Sequence, residues 1–294
     1  MELVPCGGST YYIPGPTNVG VVVREGRAVL IDSGNDESRG RKILQLLEQQ
    51  GWGLELIAQT HSHADHTGGN ALLQRRTGCR IAATHREAPL IDDPSLEPLF
   101  LWGAEPFREL RTKFLQAPPS RVTDRFRAGE PVGEGLLRSF PLPGHFLDMA
   151  GFISPDGVAF VGDSVFSEEI LEKHGFAACC DVEGQLKTLQ FLEGLEADFF
   201  VPSHATPGRD IKELVRRNRG HTERLSEEIA LLCATPRSRE EVLEALAKAY
   251  NVTINPVSYV LSHLTVAAHL SWLAHQGVLR PRGEGGRLIW ERTA

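Results

Sequence analysis

Within residues 60–69 the chain places His61, His63, Asp65 and His66, three imidazoles and a carboxylate within six residues. Neutral imidazole and carboxylate are the donors that suit zinc, iron and manganese, so the chemistry this stretch offers is metal binding. The run 56–60 before it is apolar and strand-like, the run 69–76 after it reads as a helix, and Gly78 closes that helix. His61 and His63, two apart at the end of an extended strand, point to the same side. Asp65 and His66 fall in the turn, where the chain is free to aim them back at that side. One histidine in a loop would read as a surface residue; this set behind a buried-type strand does not.

Three further positions have the same character. His145 follows Leu142-Pro143-Gly144, Asp163 closes the run 159–162, and His204 closes the run 199–203. Each follows a short apolar run and a small or turn residue, so each is expected at a strand end. Together, the His-x-His-x-Asp-His pattern and these three positions resemble the metallo-β-lactamase superfamily of metallohydrolases over roughly residues 1–210.

The resemblance implies an α/β fold, a four-layer αββα sandwich with all ligands on one edge. It implies that His61, His63 and His145 hold one metal, that Asp65, His66 and His204 hold a second, and that Asp163 bridges them. Two zinc ions are expected, with iron or manganese possible because the same donors suit all three. A water shared by two such cations ionises near neutral pH, and its hydroxide attacks a carbonyl or phosphoryl centre. Asp65 would also guide a proton to the leaving group. Asp32, at the end of Ile31-Asp32-Ser33-Gly34, would lie behind the histidine loop, since metal-bound histidines donate their other N–H to such groups. Phe166, His174 and Phe176, just after Asp163, are candidate substrate-pocket residues.

The elements that must position these residues follow from pattern. Residues 18–23 and 28–32 are β-branched strands about a turn at 24–27, and 37–50 is an amphipathic helix stopped by Gly51. Strand and helix alternate through residue 84, as an α/β layering requires. Residues 88–120 break the pattern: Pro89, Pro94, Pro98, Pro106 and Pro118 surround Leu99-Phe100-Leu101-Trp102. This reads as an irregular insertion whose apolar residues cover the metal site, line the pocket (Trp102 is a candidate) or pair with a second copy in a homodimer. Strands resume at 122–126, 136–140, 150–154 and 158–161, and 182–195 is a helix.

Beyond residue 208 the character changes, and 209–294 is expected to form a second, winged-helix-like domain. Helices are predicted at 210–219 and 223–233. Ser238 with Glu241 forms a capping box for a third, ending near Tyr250. A fourth spans 256–276, and a β-hairpin closes the chain. From Arg209 on there are 13 basic and 10 acidic residues, about +3 against about −10 for the rest. Arg280, Arg282 and Arg287 would suit phosphate, but the would-be recognition helix carries almost no charge. Bracing or dimerisation is preferred over nucleic-acid binding.

The overall net charge of −7 disfavours nonspecific polyanion binding. The five cysteines are an odd number with no C-x-x-C spacing, as in a reduced cytoplasmic protein. The start lacks the character of a signal peptide, and no run has the length of a membrane span. The reading is therefore a cytoplasmic, dinuclear metal-dependent hydrolase of a small ester, thioester or lactone. The alternatives are a phosphodiesterase or endoribonuclease gripping RNA with its C-terminal domain, a mononuclear iron persulfide dioxygenase using His61, His145 and Asp163, and a DNA-binding regulator bearing a metal site.

Overall fold

A computed structural model describes residues 1–293. Among them, a seven-stranded sheet runs β1 (Val4–Gly7), β2 (Thr10–Ile13), β3 (Val19–Arg24), β4 (Arg27–Ile31), β5 (Gly53–Ala58), β6 (Arg80–Thr84) and β7 (Asp124–Phe126), with spatial order equal to chain order. The first four strands are antiparallel neighbours joined by short loops. From β4 onward the pairing is parallel, which requires crossovers. Helix α1 (Glu37–Gln49) supplies the first; α2 (Ala64–Thr67) and α3 (Asn70–Thr77) supply the second. Asp36 caps α1 by accepting from the Arg39 N–H, and Gly78 ends α3 in the left-handed region that glycine tolerates.

The second sheet has the order β12-β11-β10-β9-β8. Its strands are β8 (Pro131–Val132), β9 (Leu137–Pro141), β10 (Ala150–Ile153), β11 (Val158–Phe166) and β12 (Phe199–His204). Helices α6 (Glu168–His174) and α7 (Val182–Gly194) lie between β11 and β12. Between the sheets, Val22, Val29 and Leu56 pack against Phe152, Phe160 and Val201. Outside the first sheet, Ile43, Leu47 and Leu73 cover Val21, Leu30 and Ile57. Outside the second, Leu189 and Leu192 cover Phe140 and Ala159. Each sheet is thus apolar on both faces, and the result is the four-layer αββα sandwich expected.

Between β6 and β7 the proline-rich stretch is more regular than expected. It folds into α4 (Ala88–Asp92), α5 (Leu96–Trp102) and a 3₁₀ turn at Arg108–Leu110. Pro89 and Pro98 sit in first turns, where a missing N–H costs nothing. Leu101, Leu110 and Leu115 are buried against Val260 of the C-terminal part.

The remaining elements are α8 (Lys212–Leu232), β13 (Arg237–Ser238), α9 (Arg239–Ala249), α10 (Pro256–His275), β14 (Leu279–Glu284) and β15 (Arg287–Arg292), with sheet order β13-β15-β14. The Ser238–Glu241 capping box is present. One expectation is corrected: the two helices predicted at 210–219 and 223–233 are the single helix α8. A mid-helix glycine such as Gly220 costs only about 1 kcal/mol. Here both flanks are anchored, Val215 in the core beneath the second sheet and Leu225 and Ile229 in the C-terminal core. Among the described residues, no helix is long and apolar enough to cross a membrane.

Candidate metal centre

The seven chemistry-bearing residues come from four separated stretches of the chain and meet at one edge of the sandwich. His61 and His63 leave the end of β5, and Asp65 and His66 occupy α2. His145 lies in the loop between β9 and β10, after Gly144, whose φ of 131° and closeness to Gln185 exclude a side chain. His204 is the last residue of β12. Asp163 departs from the expected strand end, because β11 continues to Phe166. Its position is set instead by an irregularity: the register against β12 shifts on either side of Gly162, whose φ is 53°. Such a bulge re-aims the side chains that follow it.

Two ligand groups form, each with atoms mutually within 4.8 Å: His61, His63 and His145, and Asp65, His66 and His204; a third group, His61, His66 and Asp163, links them. Nδ1 of His63 lies 3.0 Å from Nε2 of both His61 and His145. Asp163 stands between the sets, 3.5 Å from His145, 3.2 Å from His66 and 3.3 Å from His204. Nε2 of His66 and Oδ1 of Asp163 are buried with no hydrogen-bond partner. Buried polar atoms without partners are costly, and these face one another across a space that a cation would satisfy.

The outward nitrogens fix the tautomers. His66 donates Nδ1–H to Asp32 at 2.8 Å, His145 to the Ala178 carbonyl at 2.9 Å, and His204 to the Pro16 carbonyl at 2.8 Å. Thr60 donates its hydroxyl to Asp32 and can accept from His61 Nδ1 at 3.0 Å. Asp32 thus orients two histidines, one directly and one through Thr60. It does so with a φ of 63°, rare for a non-glycine residue and of the kind that clusters at functional sites. Each inward nitrogen is left with a free lone pair, which is what a metal ligand needs.

The charges point the same way. Burial, aided by neighbouring imidazoles, holds His61 well below its ordinary pKa and His63 down to about 3. Burial would also lower His66 and His204, but the carboxylates beside them win. Asp163, Asp65 and Asp32 raise His66 well above its usual value, and Asp163 and Asp65 raise His204 to about 10. One end of the centre offers neutral imidazoles; the other draws positive charge. The donor set therefore fits a pair of divalent cations.

The metallo-beta-lactamase superfamily model matches residues 12–204, about two thirds of the chain and all seven clustered residues. The chain belongs to the metallo-β-lactamase superfamily. It is 33% identical over 135 residues to the hydroxyacylglutathione hydrolase of Rhodopseudomonas palustris (strain BisB18), covering 45% of this chain and 42% of that protein. It is 29% identical over 153 residues to that of Nitrobacter hamburgensis, covering 51% and 49%. The chain thus spans less than half the length of these curated relatives. Among solved structures, a metallo-beta-lactamase family protein of Thermus thermophilus aligns over 97% of this chain and 99% of its own, with a TM-score of 0.73 and 20% identity. A beta-lactamase domain protein of Burkholderia ambifaria aligns over 99% and 94%, with a TM-score of 0.74 and 20% identity. These two show that the fold extends through the C-terminal helices and hairpin.

Beside the candidate metal centre of this superfamily member lies a cavity of about 280 Å³ that opens onto Asp65, His145, Asp163 and His204. Phe166, His174 and Phe176 line it, as does α10. Trp102 does not. It is exposed and meets Phe107 edge-on, because α5 turns Glu97 and Leu101 inward and Trp102 outward. Two carboxylates escaped the sequence reading. Glu87 is buried and accepts from the N–H and hydroxyl of Ser62 and from the N–H of Asp148, tying the His61–His66 loop to the His145 loop. Glu97, also buried, lies 3.7 Å from Nε2 of His63. It is the carboxylate nearest the outward nitrogen of His63, the one imidazole of the cluster with no outward hydrogen bond. Neither stands in a recognisable motif; their signal is burial, which only the fold reveals.

Proposed function

We propose that this chain is a dinuclear metal-dependent hydrolase of a small thioester, ester or lactone, with zinc as the native metal. His61, His63 and His145 are the ligands of one ion, Asp65, His66 and His204 of the other, and Asp163 is shared. The observation that carries this reading is Asp163, within 3.5 Å of histidines from both groups with a buried oxygen unpartnered. The thioester class is supported by the hydroxyacylglutathione hydrolases among its relatives.

Bound divalent cations would supply Lewis acidity and hydroxide at neutral pH. The chain's own residues do the rest. Asp32, Thr60 and the Pro16 and Ala178 carbonyls hold the imidazoles so that no reorientation is needed during reaction. Asp65 accepts from the Thr17 hydroxyl at 3.0 Å and borders the cavity. Its carboxylate is placed to hold a proton and deliver it to the leaving group. Phe166, Phe176 and α10 limit water beside the reacting carbon.

We read 209–294 as a winged-helix-like unit that braces the centre rather than gripping RNA. Its helix–strand–helix–helix–hairpin order supports the first half. The second is supported by α10 facing the cavity, and by Arg280, Arg282 and Arg287 being paired with Glu291 and Glu241. The test is metal content of protein purified without added metal, with a panel of thioester, lactone and phosphodiester substrates. About two zinc per chain and turnover of thioesters or lactones is expected. One iron per chain, with oxygen consumed on a persulfide, would overturn the proposal.

A further inference from the structure

We infer that the cavity beside the candidate metal centre is an acyl-chain site, and that helix α10 makes the chain a hydrolase for thioesters of apolar acyl groups rather than of hydroxylated or charged ones. The inference rests on the hydrolase reading for its chemistry, but on the cavity wall for its selectivity.

The wall has two sides. Phe166, Ile170 and Phe176 form one, and α10 forms the other with Ser258, Leu261, Ser262 and Thr265. Those four α10 positions are spaced i, i+3, i+4, i+7, one face of a helix. The face contains three hydroxyls, yet two are already engaged. Ser258 accepts from the Asn255 N–H and donates to its carbonyl, closing the N-cap of α10. Thr265 accepts from the Cys179 N–H and donates to the Leu261 carbonyl. With those two oxygens engaged, Ser262 is the one α10 hydroxyl left available to the cavity.

Charge is equally one-sided. Among the described residues lining the cavity there is no lysine or arginine. The imidazole of His174 is kept neutral by burial, with Lys173 and His204 adding to the effect. A carboxylate entering this space would lose its hydration and find no cation apart from the metals. The volume, about 280 Å³, lies at the small end of ligand pockets. It holds an acyl chain and leaves the thiol part outside.

The experiment uses metal-loaded protein and N-acetylcysteamine thioesters of acetyl, butyryl, hexanoyl and octanoyl groups, with a hydroxyacylglutathione for comparison. In parallel, binding of the matching alkanoates is measured by calorimetry. kcat/KM and affinity should both rise about fourfold per methylene from acetyl to hexanoyl. Leu261→Trp, which fills the cavity, should shift the preference to short chains; Leu261→Ala should shift it to longer ones. A flat chain-length profile, or preference for the hydroxyacylglutathione, would overturn the inference. Alkanoate affinity that climbs with length while no thioester turns over would sink the hydrolase chemistry and keep the acyl site. Thioester turnover with flat alkanoate affinity would do the reverse.

Discussion

The candidate metal centre and the α10 wall that faces it are built on opposite rules. In the centre His61, His66, His145 and His204 have outward hydrogen-bond partners and inward lone pairs. Of the buried atoms left without a partner, His66 Nε2 and Asp163 Oδ1 lie 3.2 Å apart, while His63 Nε2 faces Glu97 at 3.7 Å. On α10 the hydroxyls of Ser258 and Thr265 are taken up by nearby backbone, Ser262 keeps the one unengaged hydroxyl, and the rest of what faces the cavity is shape. A polar network fails when one atom is removed, because its partner is left buried and unsatisfied. An apolar wall fails gradually, by volume. On the two proposals above, the reaction and the choice of substrate are held by separate parts that can change independently.

The contrast is tested hardest at the centre. Asp163→Ala and His145→Ala should each lower metal content and reduce kcat/KM by more than the roughly 10–100-fold that loss of an outer partner costs. Elemental analysis with steady-state kinetics measures both. If His145→Ala keeps two ions and near-full activity, the ligand assignment is wrong.

The next step down separates the two outer carboxylates. Asp32 accepts from Thr60 N–H, Thr60 hydroxyl and His66, and an amide cannot replace all three interactions. Asp32→Asn should weaken metal affinity by roughly 10–100-fold. Glu97 makes one longer contact, at 3.7 Å, so Glu97→Gln should cost about tenfold or less. Competition with a chromogenic chelator ranks them. A larger loss at Glu97 would mean that the insertion, not the sandwich, governs the centre.

The same division explains what could be read from the chain. His61, His63, Asp65 and His66 were legible because strand and turn periodicity place near neighbours in sequence. His145, Asp163 and His204 were legible only as a set, through their resemblance to a family, since no local pattern brings three distant loops together. Glu97 was hidden because its role depends on α5 docking over His63, a long-range event. Trp102 was misplaced for the converse reason: aromatic character marks a residue for burial, but which face of α5 turns inward is decided by Leu101 packing near Val260. The α10 face was visible as a spacing in hindsight, but four small or apolar residues on one helix face usually mean plain core. The single helix α8 replaced two predicted ones because its two halves are anchored in different cores, a long-range fact that no local pattern carries.

The smallest effect concerns the C-terminal part, where the buried imidazole of His269 serves no metal group among those described. It pairs with Ser226 at 2.8 Å. Burial, with His221 nearby, holds its pKa down to about 3, against an ordinary 6.5. The folded state therefore keeps this ring neutral where the unfolded chain takes up a proton. Its contribution to stability is full above pH 6.5 and is lost as pH falls from there toward 3. Between pH 7 and 5.5 the loss should be about 1 kcal/mol, a shift of a few °C in Tm. His269→Gln, which keeps a polar group near Ser226 but cannot titrate, should flatten that part of the Tm–pH curve while lowering Tm at neutral pH. Melting of metal-loaded protein across this range decides it. An unchanged slope in the variant would place the acid sensitivity in the metal centre, where protons compete with cations for His66 and His204, and would make the α10 side the more robust of the two regions.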